Sequence, residues 1–340
     1  MAARPRSAPA ARPVELLHGA RLGRVVERGP DAVDAWMAAL VLVWGTAFVS
    51  IKVLGHVLDP FQLTWYRYVP FLLGFGGWLL LRRRDRFREV RGGDWVRIAV
   101  AGAFAVLGYH FPLNWALSDL TPGPSVTGAT GAILVATTPL WTLLMAVAVG
   151  QERFGGAKAV GSVIAFAGVG VVVFLGSGRA EFSTANKTLV ALLAPILWGA
   201  YSILAKPLVA RYGPLFVSGL TMSLGTLMLL PLGLRYGVEP LMALDAAGWW
   251  WMLYLSVAAT LGGYTIWNLS LKHRSASEIT AYIYGVPVVA TLAGALLLSE
   301  PVTPYFVLGA ALVLGGLLLI NRARAAPATA PGPGAAAAKP

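Results

Sequence analysis

Residues 44–52 read "WGTAFVSIK", an apolar run closing on a small residue, two hydroxyls and a lysine. Residues 198–206 read "WGAYSILAK", with Trp, Gly and Lys at the same internal positions and an offset of 154. The same offset relates Pro60 to Pro214, each ahead of an apolar run, and Asn114 in "LNWAL" to Asn268 in "WNLSL". Further along, Pro139 and Glu152 match Pro287 and Glu300, and Gly161 and Gly168 match Gly309 and Gly316, now at an offset of 148. Any one pair is weak, because Gly, Pro and Trp are common in apolar helices. Together they keep their order along the chain, as one unit used twice would.

The chain has 340 residues, 57% of them hydrophobic and 12% charged, against about 25% charged in soluble domains. The charges collect between apolar runs of about twenty residues, the length that carries a helix across a hydrocarbon core of about 30 Å. The runs are centred on residues 35–54, 62–81, 97–117, 125–149, 157–176, 188–208, 214–234, 248–270, 279–298 and 304–321. The expected fold is an all-α polytopic membrane protein of ten transmembrane helices. It divides into a basic N-terminal tail (1–34), a first five-helix repeat (35–176), a second (188–321) and a disordered C-terminal tail (322–340). An odd number of spans per repeat turns the two halves upside down relative to each other. Inverted repeats are a hallmark of secondary transporters, which bind their cargo near the membrane midplane.

Of the 27 Lys and Arg residues, 22 fall on the side of the two termini and four (Lys52, Arg179, Lys187 and Arg235) on the other, with Arg67 inside a span. The positive-inside rule therefore expects both termini in the cytoplasm and the chain in the plasma (inner) membrane. This topology accounts for the net charge of +12 without a nucleic-acid partner. The N-terminal tail lacks the apolar core of a secretory signal. No cysteine is present, which excludes disulfides and thiolate chemistry.

The basic tail, "WG…K" closing the first run, Pro60 and Arg67 opening the second, and Pro139 followed by Glu152 resemble the EamA-type branch of the drug/metabolite transporter superfamily, over residues 35–321. The resemblance implies export or exchange of small metabolites, often amino acids, by alternating access around a central cavity lined by spans 1–4 and 6–9. It does not fix the substrate. One departure is that Arg67 meets Thr221 at the repeat offset, so the halves are not chemically equivalent.

Arg67 lies about 10 Å inside the membrane, seven residues past Pro60 at about 1.5 Å each. A cation at that depth faces protein or water. It can anchor a substrate carboxylate, which a guanidinium binds bidentately, or tie the ends of neighbouring helices. Polar and aromatic side chains in the cavity-lining spans give further candidate substrate contacts: Trp44, Ser50, Tyr109, His110, Asn114, Trp198, Tyr201, Tyr264, Asn268 and Tyr282. Each can equally serve helix packing. Asn114 and Asn268 stand out because the repeat puts both at corresponding depths. Pseudo-symmetry pairs Lys52 with Glu300 at the outer end and Lys206 with Glu152 at the inner end as alternating gates. Against this, the lysines can snorkel and the glutamates can simply end helices.

The span interiors hold no Asp or Glu, and His110 is the one histidine placed for a proton relay. Neutral, zwitterionic or anionic solutes fit this better than lipophilic cations. An intramembrane enzyme would need a nucleophile with its base, or metal ligands at helical spacing. The sequence shows neither, so no enzyme activity, cofactor or metal is expected. The expected partners are a small-molecule substrate and the bilayer, with the chain a monomer or a homodimer. A lipid or lipid-linked sugar flippase and a proton-coupled drug efflux antiporter are the alternative functions.

Overall fold

The computed structural model describes residues 30–150, 155–175, 182–273 and 282–325. Among these residues all regular structure is helical. Helix α1 (Pro30–Leu54) is followed by α2 (Pro60–Phe71), which runs through a π-helical turn at Leu72–Gly76 into α3 (Gly77–Arg82). A 3-10 turn (Arg84–Glu89) leads to α4 (Gly92–Ala103), a second π turn (Phe104–Gly108) and α5 (Tyr109–Leu117). Helices α6 (Gly128–Val135), α7 (Thr138–Ala148) and α8 (Gly156–Leu175) come next, then α9 (Phe182–Ala191) and α10 (Leu193–Tyr212). Helices α11 (Pro214–Met228), α12 (Leu230–Tyr236) and α13 (Glu239–Met242) lead to α14 (Ala246–Leu253), a long π segment (Tyr254–Gly262) and α15 (Gly263–His273). The chain ends in α16 (Val286–Leu298) and α17 (Pro304–Ala325).

Among the described residues, four helical stretches are long and apolar enough to cross a membrane: Val33–Leu54, Gly92–Leu117, Gly128–Ala148 and Ala185–Tyr212. A fifth forms if α11 and α12, bent by 53° at their junction, count as one span.

Local signals set the ends. Asp59 caps α2 by accepting from the Phe61 and Gln62 amides at 2.8 and 3.0 Å, while the Gln62 side chain accepts from the Asp59 amide. Pro60 takes the first helical position, where its missing N–H costs nothing. Gly213, at φ 83°, ends α10 in a conformation that favours glycine, and Pro214 begins the next helix.

Helices in lipid gain little from burying apolar surface against one another, so close backbone approach and polar contacts hold them together. The most extensive approach joins α8 to α17. A Cβ placed on Gly161 would lie 2.7 Å from the Gly316 carbonyl oxygen, and one on Gly168 would lie 2.7 Å from that of Gly309. Both contacts require that nothing larger than hydrogen stand there, and their crossed order makes the two helices antiparallel. Gly170, two residues on, meets nothing within 4 Å. Gly168→Leu should therefore destabilise the protein by about 1–3 kcal/mol, the usual range for an overpacked contact, while Gly170→Leu should not. Thermal unfolding in detergent distinguishes them, and equal midpoints would refute the close-contact account.

Candidate functional site

Capping at Asp59 and Pro60 sets the rotation of α2, and that rotation turns Arg67 and Tyr68 inward, 5% and 0% exposed. The Arg67 Nε donates to Thr260 Oγ1 at 2.7 Å, and Nη1 lies 3.3 Å from His110 Nδ1. A guanidinium only donates, so His110 Nδ1 must accept and the ring proton sits on Nε2. That nitrogen is 2.6 Å from the Tyr68 hydroxyl, which lies 3.2 Å from the hydroxyl of Tyr264. A hydrogen-bonded chain thus runs Arg67–His110–Tyr68–Tyr264 through the buried centre. Among the described residues Arg67 forms no ion pair: its partners are a threonine and a neutral imidazole.

The π turns make this chain geometrically accessible. Thr260 belongs to the Tyr254–Gly262 segment and donates its hydroxyl to the Leu255 carbonyl, five residues back, at 2.8 Å. Its oxygen is thereby left to accept from Arg67. In the same segment the Ala259 carbonyl accepts from Trp44 Nε1 at 2.9 Å. The Phe104–Gly108 turn directly precedes Tyr109 and His110. Such single-turn widenings recur at functional sites because they re-aim side chains and free carbonyls.

Aromatic rings surround the chain. Trp198 lies 5.1 Å from Tyr109, 4.9 Å from Tyr201 and 6.0 Å from Tyr264, and Trp44 packs edge-on to Tyr264 at 6.2 Å. A small cleft lined by Phe71, Phe75, Leu215, Ser218, Tyr264 and Thr265 reaches this cluster. About one turn from Arg67, Asn114 donates from Nδ2 to Thr64 Oγ1 at 2.9 Å, and its Oδ1 has no partner among the described residues. The Ser50 hydroxyl, fully buried on α1, also lacks one.

Of the residues expected from the sequence, Trp44, Arg67, Tyr109, His110, Trp198, Tyr201 and Tyr264 come together, with Ser50 and Asn114 buried nearby. Tyr282 does not join them. Its hydroxyl bonds Asp34 at 2.5 Å, and its ring packs beside Met37 and Leu40 at the start of α1. The Asn268 side chain lies outside the described residues. Tyr68, Thr260 and Thr64 complete the network and were not foreseen. Tyr68 could have been found beside Arg67, but nothing local marks Thr260.

The expected Lys52–Glu300 pair is corrected. Lys52 bonds Ser125 and lies 3.4 Å from Asp119 Oδ1. Glu300 accepts from the Gly128 amide through both oxygens, at 2.9 and 3.1 Å. The loop after α5 offers the lysine a nearer carboxylate, while the free amide and positive end of α6 draw Glu300. Lys187, 1% exposed, joins the same end by donating to the Ser118 and Thr121 carbonyls at 2.8 and 3.2 Å. At the opposite end Arg211 pairs with Asp94 at 2.5 Å, and Tyr212 donates to the same carboxylate oxygen at 2.7 Å. Lys206 is exposed on α10, and its expected partner Glu152 lies outside the described residues.

The described helices thus pack around a buried cation, Arg67, ringed by aromatic side chains. The EamA-like transporter family model matches residues 32–174 and again 187–322, and the chain belongs to that family. It is a transporter and not an enzyme. It is 31% identical over 290 residues to a probable terminal-alkyne amino-acid exporter of Streptantibioticus cattleyicolor, covering 84% of this chain and 93% of that one. An uncharacterized transporter of Archaeoglobus fulgidus is 28% identical over 291 residues, covering 85% and 98%. A solved crystal structure, 19% identical, shares the fold with a TM-score of 0.60 over 88% of this chain and all of its own.

The Lys52 end responds to acid. Partial burial opposes the Asp119 charge, but the Ser125 hydroxyl, Lys52 and His56 outweigh it and hold the carboxyl below its ordinary value. A depressed folded-state value adds stability above about pH 4, the unfolded carboxylate range, and that stability disappears as pH falls through the folded value. Asp119→Asn should therefore flatten the loss of thermal midpoint below about pH 4. A variant that retains the wild-type pH slope would refute the ion cluster as its source.

Proposed function

We propose that the protein exports or exchanges amino acids or closely related zwitterionic or neutral compounds by alternating access around the Arg67 cluster. The observation that carries this is a buried guanidinium whose protein partners are all neutral. Nε and Nη1 are engaged while Nη2 has no partner among the described residues. A substrate carboxylate supplies the missing countercharge, and the aromatic cage takes its side chain. The name of the Streptantibioticus relative supports both the direction and the substrate class.

Ten spans in two inverted halves, 35–176 and 188–321, form the frame of this mechanism. Support comes from the family model matching twice and from the α8–α17 contact. Gly161 meets Gly316 and Gly168 meets Gly309, while the repeat makes Gly161 equivalent to Gly309 and Gly168 to Gly316. A contact that exchanges equivalent residues is what a two-fold axis in the membrane plane requires. The same relation joins the packing of α1 on α16 to that of α10 on α7. With both termini cytoplasmic in the plasma membrane, the Asp94–Arg211 end faces inward and the Lys52–Asp119 end outward. Lys52 and Glu300 then close the outer end as separate latches, and Lys206 with Glu152 belongs to the inner one.

Proteoliposomes containing the purified protein provide the test, with labelled amino acids set against the matching amines that lack the carboxylate. The wild type should carry the acids and not the amines. Arg67→Met should cut transport of the acids about ten-fold or more, the value of a hydrogen-bonded charge in a desolvated site. Amines carried as well as the acids, or an unimpaired Arg67→Met, would overturn the proposal.

A further inference from the structure

We infer that Asn114 is the acceptor for the ammonium group of the substrate. The inference rests on the amino-acid reading above and supplies the second charged group of the same cargo.

The amide orientation follows from a chain of hydrogen bonds. The Thr64 hydroxyl donates to the Pro60 carbonyl at 2.7 Å, which uses its one hydrogen. Its oxygen can then only accept, so Asn114 must present Nδ2 to it, at 2.9 Å. Oδ1 is thereby turned away and left as an acceptor without a partner in a residue only 1% exposed. A buried amide oxygen with no donor is costly to keep, and its cost is recovered whenever a donor arrives. Arg67 is not that donor in this structure, where its bonds go to Thr260 and His110.

Ser50 repeats the pattern on the facing helix. Its hydroxyl is 0% exposed and has no partner. Lys52 Nζ lies 3.4 Å from the Leu117 carbonyl, so the ends of α1 and α5 meet there, and Ser50 and Asn114 stand two and three residues before that level. Asn114 is displaced from the cation. Thr64 precedes Arg67 by three residues and Asn114 follows His110 by four, about 5 Å along the helix axes in each case. A cation and a neutral acceptor about one turn apart complement the carboxylate and ammonium groups of one α-amino acid. Neutral acceptors suffice for an ammonium group, whose three donors need oxygens rather than a carboxylate.

The experiment compares an amino acid with its 2-hydroxy-acid analogue, which keeps the carboxylate and loses the ammonium, in proteoliposomes of wild type, Asn114→Leu and Thr64→Val. Asn114→Leu should raise the KM for the amino acid about ten-fold or more, the loss of a charge-assisted hydrogen bond, and that for the hydroxy acid, whose hydroxyl is an uncharged single donor, by a clearly smaller factor. Thr64→Val, which frees the amide to rotate, should raise the amino-acid KM by a smaller factor and serves if the leucine variant does not fold. Equal losses for both substrates, or a wild type that does not discriminate between them, would overturn the ammonium subsite while leaving the carboxylate reading intact. A wild type that carries neither substrate would overturn that reading, and the inference with it.

Discussion

A guanidinium held in an apolar interior sets the terms for everything around it. By insertion scales a cation at the centre of a membrane helix costs about 2.5–3.5 kcal/mol, so Arg67 persists only where its N–H groups are met. Meeting them has consequences in sequence. Thr260 can accept from Arg67 because its own hydrogen reaches a carbonyl five residues back, and that requires a π-helical segment there. The same segment frees the Ala259 carbonyl for Trp44, which fixes the indole against Tyr264. His110 accepts from Arg67 only with its proton on Nε2, which in turn enlists Tyr68. One charge thus propagates into the geometry of helices α1, α2, α5 and the α14–α15 pair.

The two ends of the molecule follow different physics from its centre. Ion pairs between partly exposed side chains contribute little, about 0–1 kcal/mol each. The Lys52–Asp119 cluster is of this kind, with Asp119 39% exposed, whereas at the other end the Asp94 carboxylate is buried at 7% under a 43% exposed Arg211. On the proposed alternating-access mechanism, a weak closure suits an end that opens at a cost of a few kcal/mol. The α8–α17 contact is the contrary case. Backbone packed on backbone cannot be adjusted in small steps, so this pair is the element best suited to stay fixed while the ends open and close.

Much of this was legible in the sequence, and the limits have physical causes. Apolar runs and scarce charge gave the membrane class, and motif order pointed to the family. The glycines singled out by repeat spacing, Gly161, Gly168, Gly309 and Gly316, are the ones that meet. Arg67 and His110 were visible because a cation and an imidazole inside apolar runs need a reason. Thr260 was not visible, since a threonine in a membrane helix ordinarily bonds its own backbone and only the π turn gives it a second task. Pairing by symmetry also failed at Lys52: loops diverge faster than spans, and the 118–127 loop supplied Asp119, which has no counterpart in the repeat arithmetic. Tyr282 shared its residue type with the cage but lies at the start of α1, a difference in depth that composition does not encode.

The departure from symmetry at the centre has its own logic. At the repeat offset His110 corresponds to Tyr264, and Arg67 to Thr221. His110 and Tyr264 nevertheless meet through one shared partner, since both bond the Tyr68 hydroxyl. On the proposed two-fold arrangement these equivalent positions must approach each other near the axis, and identical side chains there would offer identical chemistry from both sides. A site of that kind suits a symmetric or apolar solute. Replacing one histidine by tyrosine, and one arginine by threonine, gives the centre a charged side and a neutral aromatic side. Such a site suits a cargo with a charged head and an apolar body, and on the proposed two-fold arrangement it does so without disturbing the symmetry of the frame around it.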